Sequence, residues 1–164
     1  MELTTPQLQV LKTDILAQPT LVDFVNTGNV GQIAAWYNVD STFIVYKQSE
    51  STQQIGAVTN YLANAALTAD NRDKINFFYL LTPPDFNPSK SDQRTYLADA
   101  YSGALGGEGA NTRAALDALY RRPALKGEKL YSTGTGTTVA PGALNATANG
   151  DITEDNVADA LALP

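Results

Sequence analysis

Cysteine and histidine are both absent from the 164 residues, and tryptophan and methionine occur once each. Without cysteine there is no disulfide staple, no thiolate nucleophile and no cysteine metal site. Without histidine the chain lacks the commonest general base and the commonest transition-metal ligand. Any catalysis would fall to carboxylates, Lys, Tyr or Ser without their usual helper, so a non-enzymatic protein with no cofactor and no metal is expected. Long apolar runs are missing too. The longest, Ile33 to Tyr37 and Phe77 to Leu81, are five residues each, against the roughly 20 a spanning helix needs. The chain opens without a basic region leading into an apolar stretch, so neither a membrane nor a secretory signal is expected. The net charge of −6 argues against specific nucleic-acid recognition, which requires a basic face.

What remains is a chain of one-domain length, 43% hydrophobic, which suits a globular core carrying some polar sequence outside it. Thr5 and Pro6 signal a helix start, followed by Leu8, Leu11, Ile15 and Leu16 at helical spacing. Pro19 opens a short turn of helix, Asn26 to Asn29 breaks it, and Val30 to Tyr37 again presents a helical face. Thr42 to Lys47 is rich in β-branched and aromatic residues and is the best strand candidate; a lone strand needs a partner from this chain or a neighbour. Helical patterns recur over Ser51 to Ala69, Asp70 to Leu81, around Tyr96 to Tyr101, from Asn111 to Tyr120, and over Lys126 to Tyr131. Pro83-Pro84 ends one of them, Gly103 to Gly109 reads as a loop, and Pro123 as an interruption.

Composition shifts after Tyr131. Ser132 to Gly150 carries no charge and only two large aliphatics, Val139 and Leu144, so by itself it cannot offset the entropy of becoming ordered. Helical character returns over Asp151 to Leu163, with Thr153 as N-cap. The expected fold class is mainly α: a compact multi-helix domain with at most one or two short strands and an extended C-terminal arm. The expected division is a helical body, 1–131, and a Gly/Thr/Ala-rich arm with a short terminal helix, 132–164.

Motifs with a chemical meaning fail on mechanism. Gly134-Thr135-Gly136-Thr137-Thr138 lacks the Gly-Lys-Ser/Thr of a phosphate loop and the third glycine of a dinucleotide turn. The Gly106, Gly107 and Gly109 cluster follows no strong strand. Asp151 to Asp155 lacks the glycine and distal glutamate of a calcium loop. Asp92, Asp99 and Glu108 could furnish a carboxylate pair for a hydrolase, and Trp36 with Tyr37 could line a ligand pocket; acidic residues near helix starts also serve the helix dipole, and such aromatics usually belong to a core.

Charge placement says more. From Arg113 to Lys129 the chain holds Arg113, Arg121, Arg122, Lys126 and Lys129 against Asp117 and Glu128, a local net of +3, and the rest of the chain sums to −9. No basic residue follows Lys129, while Asp151, Glu154, Asp155 and Asp159 give the end of the chain −4. One reading is a solvated basic face. The sharper one pairs one subunit's basic segment with the acidic end of a neighbour, with Val139 and Leu144 as the arm's apolar contacts.

Several segments, in order, resemble a family of small proteins encoded among the head and neck genes of tailed bacteriophages. They are Lys12 to Ala17, Ile33 to Asn38, Asn87 to Lys90, Arg121 to Ala124 and Glu128 to Gly136, with the terminal helix after the arm; roughly Ser49 to Pro84 departs from the pattern. The resemblance implies a virion structural protein, made in the host bacterial cytoplasm and without catalytic residues. Its leading place would be a head-tail adaptor ring of about a dozen copies, a homo-oligomer binding the portal protein and the next tail or neck protein, with a C-terminal extension gripping the portal. A capsid decoration or accessory virion protein is the alternative, and a carboxylate-based hydrolase a remoter one.

Overall fold

Apolar residues at helical spacing, punctuated by proline and asparagine, set the architecture in a computed structural model that describes residues 1–81, 85–102 and 106–164. The fold is mainly α, as the periodicity predicts. Thr4, one residue before the expected cap, starts α1 (Thr5–Ala17), and the Gln7 side chain accepts from its backbone N–H at 2.8 Å. A 3-10 turn (Pro19–Leu21), α2 (Val22–Asn26) and α3 (Val30–Tyr37) follow. Leu11, Ile15, Leu21, Ile33 and Tyr37 from these elements are buried, whereas Leu16 remains exposed.

The chain divides into two compact units, Met1–Val45 with Pro123–Pro164, and Tyr46–Arg122. The sequence boundary after Tyr131 therefore lies inside the first unit. Residues 132–164 pack with the N-terminal helices.

The strand candidate becomes β1 (Asp40–Tyr46), and its partner is β4 (Arg121–Leu125), numbered after the two strands that lie between them in sequence. The sequence reading takes Pro123 for an interruption between helices. A proline has no N–H for a sheet ladder, but an edge strand needs a partner on only one side and tolerates it. Ser41 Oγ donates to the Ala124 carbonyl at 2.7 Å. The chain continues through α9 (Lys126–Tyr131) to α10 (Glu154–Ala162), which packs on α1 and α3.

The second unit holds β2 (Glu50–Ser51), α4 (Thr52–Val58), α5 (Tyr61–Ala65), α6 (Ala69–Leu81), β3 (Asp85–Phe86), α7 (Ser91–Ala100) and α8 (Gly106–Leu119). β2 and β3 pair antiparallel, Glu50 opposite Phe86. The single helix expected over 51–69 is two, because Asn60 caps α5 by accepting from the Leu62 N–H at 2.7 Å. The core combines Ile55, Phe78, Phe86, Leu97, Leu116 and Tyr120, with Phe86 5.4 Å from Phe78 and 5.2 Å from Tyr120 between ring centres. The glycine loop expected over 103–109 is corrected in part. Gly106 to Gly109 lie in the first turn of α8, and Asn111, the expected cap, is inside that helix. Each glycine costs a helix about 1 kcal/mol; here Glu108 accepts from the Asn60 side chain and Thr112 from the Asn60 backbone, tying the turn to α5. The Pro83-Pro84 stop and Gly103 fall outside the described residues. Among those described, no helix is long and apolar enough to cross a membrane.

Candidate assembly interface

The composition of Ser132 to Gly150 predicts a segment that orders only against a partner. The structure supplies that partner from β1. The Ile44 N–H donates to the Gly136 carbonyl at 2.7 Å, and the Gly142 N–H to the Ile44 carbonyl at 2.8 Å. Thr133 and Ala143 pair across the resulting loop, exchanging bonds of 3.0 and 2.9 Å. Between the two glycines sits the Phe43 ring, which occupies the space a Cβ at either position would need. The glycines are thus the aromatic's seat, which composition does not reveal. Gly142→Ala should cost about 1–3 kcal/mol by overpacking, since its Cβ would also stand 2.8 Å from the Thr133 carbonyl oxygen. A drop in the thermal midpoint that is smaller when the same change is made in a Phe43→Ala background checks the ring's share; an unchanged midpoint contradicts the seat.

Further along, the arm is fastened to the body. Gln7 Nε2 donates to Thr147 Oγ1 at 3.0 Å, and the Gly150 N–H to Glu128 Oε1 at 3.0 Å. Asn38, at the end of α3, grips the Ile152 backbone both ways, giving a bond of 2.9 Å to its carbonyl and accepting one of 2.8 Å from its N–H. Thr153 and Asn156 cap α10 reciprocally at 3.1 Å, as expected of Thr153. Ile152, Val157 and Ala160 are buried in the first unit's core, and Lys12 Nζ donates to the Leu163 carbonyl.

The docking of α10 by its apolar side fixes which residues it shows to solvent. Asp151, Glu154, Asp155 and Asp159 are all exposed, and none has a basic partner among the described residues. Glu154 also lies against Gly31 of α3. Val139 is 90% exposed at the tip of the glycine loop, while Leu144 is half-buried.

The basic residues do not form one surface. Lys129 is exposed, and Lys126 is half-buried with its ammonium 3.8 Å from the centre of the Trp36 ring. Both line a groove of about 580 Å³ with Asp14, Gln18, Tyr37 and Asp40. Tyr37 is buried and donates to Asp14 Oδ2 at 2.5 Å; burial first, then the hydrogen bond and charge of Asp14, push its hydroxyl well above the ordinary tyrosine range. Arg121 is committed to Asp117 one turn away. Arg122 is half-buried in β4. Arg113 belongs to the second unit, where it donates to the Tyr101 carbonyl. The third set of candidates is scattered: Asp92 and Asp99 are exposed on α7, and Glu108 is tied to Asn60 on α8.

Sequence reasoning missed Glu128. Counted there as one charge of a basic stretch, it is 1% exposed. Its Oε2 accepts from the Leu125 N–H at 2.9 Å and its Oε1 from Gly150, so one carboxylate holds the start of α9 and the end of the arm. Its place three residues after Leu125 is the usual position for a side chain returning to a helix start, and was the one local signal. Compared with protein-family models, with curated proteins and with solved structures, the chain matches none.

Proposed function

We propose that this protein is a non-enzymatic assembly subunit of a bacteriophage particle, whose leading place is the head-tail neck as an adaptor between portal and tail. One observation carries the assembly reading: α10 is sealed on its own body by its apolar side and leaves Glu154, Asp155 and Asp159 exposed, with Asp151 exposed just before it, and none of the four has a basic partner among the described residues. A face of one sign, left unpaired on a helix whose other side is fixed, suits a neighbour of opposite sign and contributes more to partner choice than to fold stability. On another copy the cations available to it include exposed Lys129 and half-buried Lys126, at a groove that Asp14 and Asp40 also line. The phage assignment rests on the segments named above, of which Ile33 to Asn38 and Glu128 to Gly136 contribute to the α10 seat and the glycine loop. In this reading the arm presents its tip, Val139, and its acidic face while remaining docked.

Asp155→Lys with Asp159→Lys should abolish self-association in sizing with light scattering at low salt. Adding Lys126→Glu and Lys129→Glu in the same chain should restore it, since a head-to-tail contact then meets the swapped signs. Wild-type association by the chain carrying only Asp155→Lys and Asp159→Lys, or no recovery in the chain carrying all four changes, would end the charge argument. Copy number in purified particles separates the two virion readings: about a dozen for a ring, hundreds for a decoration protein. Absence from particles removes both.

A further inference from the structure

In the second unit, residues of α7 and α8 line an open cavity of about 350 Å³, among them Arg94, Thr95, Arg113, Ala114 and Asp117, with Tyr120 just after α8. Two arginines from different helices, Arg94 and Arg113, line this space. Each is set in place by a neutral group: Arg94 stacks 3.7 Å above the Tyr46 ring and donates to the Pro88 carbonyl, and Arg113 donates to the Tyr101 carbonyl. Asp117, the acid in the lining, is taken by Arg121. Neither Arg94 nor Arg113 has an acidic partner among the described residues. Both are half-buried, so both have given up part of their hydration with no ion-pair partner of their own among the described residues.

A guanidinium has five N–H donors, and one bond to a carbonyl leaves the remainder of each fork for a ligand. We propose that this cavity binds a phosphate group, free or carried by a small phosphomonoester. Two fixed guanidinium charges match the −1.5 to −2 that such a group carries near pH 7, and arginine forks match its oxygens in pairs. A carboxylate supplies one charge and one plane, and leaves the second arginine uncompensated. Thr95 adds a hydroxyl to the same wall, and the volume exceeds a bare phosphate enough to admit a short organic group. The site lies wholly in the unit Tyr46–Arg122, whereas α10 belongs to the other unit, so it stands or falls independently of the assembly reading.

Calorimetric titration of the full chain with inorganic phosphate, phenyl phosphate and acetate, at matched ionic strength in chloride, tests this. Saturable phosphate binding is expected in the micromolar to millimolar range, with acetate at least tenfold weaker. Phenyl phosphate binding tighter than inorganic phosphate assigns the ester; equal or weaker binding assigns the free ion. Arg113→Gln should weaken phosphate at least tenfold. Ala114→Glu, at an exposed position of the lining, tethers a carboxylate beside the arginines. It should abolish phosphate binding while leaving the thermal midpoint in chloride equal or higher, which separates loss of the site from loss of the fold. No saturable binding, acetate as strong as phosphate, or an Ala114→Glu chain that binds normally would each overturn the proposal.

Discussion

Removing residues 151–164 is expected to unfold the first unit. Ile152, Val157 and Ala160 are at most 1% exposed, and they cover Leu11, Ile15 and Ile33, also at most 1% exposed. Fully burying a Val or Ile side chain contributes about 1.5–3 kcal/mol, so the lost segment alone accounts for roughly 5 kcal/mol before the uncovered faces of α1 and α3 are counted. A domain's whole stability is about 5–15 kcal/mol. Trp36, the single tryptophan, is in this unit and packs against its core, so its fluorescence reports the loss directly. The truncated chain should show solvent-exposed tryptophan emission and no cooperative transition from this probe. Ile152→Ala, a milder version, should cost about 3 kcal/mol. Native-like Trp36 emission and an unaltered transition in the truncation would mean that α10 is dispensable. The consequence for assembly is direct: a test that deletes the arm destroys part of the body, so the exposed charges of α10 must be probed by substitution.

Glu128→Ala should have the second-largest effect. The side chain is buried and both its oxygens accept backbone bonds, from Leu125 and from Gly150. Leaving a buried donor unsatisfied costs about 1–3 kcal/mol; here two half-buried donors, Leu125 and Gly150, lose their acceptor, and the missing side chain leaves a void. A loss of about 4 kcal/mol follows, lowering the thermal midpoint by roughly 10 °C in a chain of this size. Glu128→Gln keeps an acceptor for one amide but faces the other with an NH₂ donor, and should fall between the two. Hydrogen exchange adds a positional readout. Amides near the end of the arm, Gly150 and Ile152 above all, should lose protection in Glu128→Ala before those of the second unit. Equal loss across both units would show that Glu128 does not act at the arm.

Much of the local structure was legible because it depends on neighbours in sequence. The periodicity of Leu8, Leu11 and Ile15 marks the buried side of α1. Asn26 to Asn29 separates α2 from α3, and Thr153 caps α10. The β-branched run around Phe43 is a strand within two residues of its expected start. The failures have a common cause. Arg121 to Leu125 carries too few strand formers and a proline, and becomes β4 only because β1 lies beside it. Gly106 to Gly109 reads as a loop by propensity and is helical through contacts with Asn60. The acidic candidates Asp151, Glu154, Asp155 and Asp159 are all exposed, the last three on α10 and Asp151 just before it. The basic candidates are divided between the two units, Arg113 in one and the pair Lys126 and Lys129 in the other.

The sequence by itself determined the mainly helical class, the missing histidine and cysteine chemistry, and the charge asymmetry between residues 113–129 and the chain's end. Each follows from composition or from spacing within a few residues. Only the tertiary structure decided that the glycine-rich segment is a seat for Phe43, that Glu128 is a buried clasp, and that α10 closes the core of its own chain. These depend on residues over 90 positions apart for Phe43 and Gly136, and over 110 for Asn38 and Ile152. Burial and hydrogen bonding act on distance in space, and a segment that looks unable to order itself needs only one aromatic ring and a few backbone donors, supplied from elsewhere, to do so.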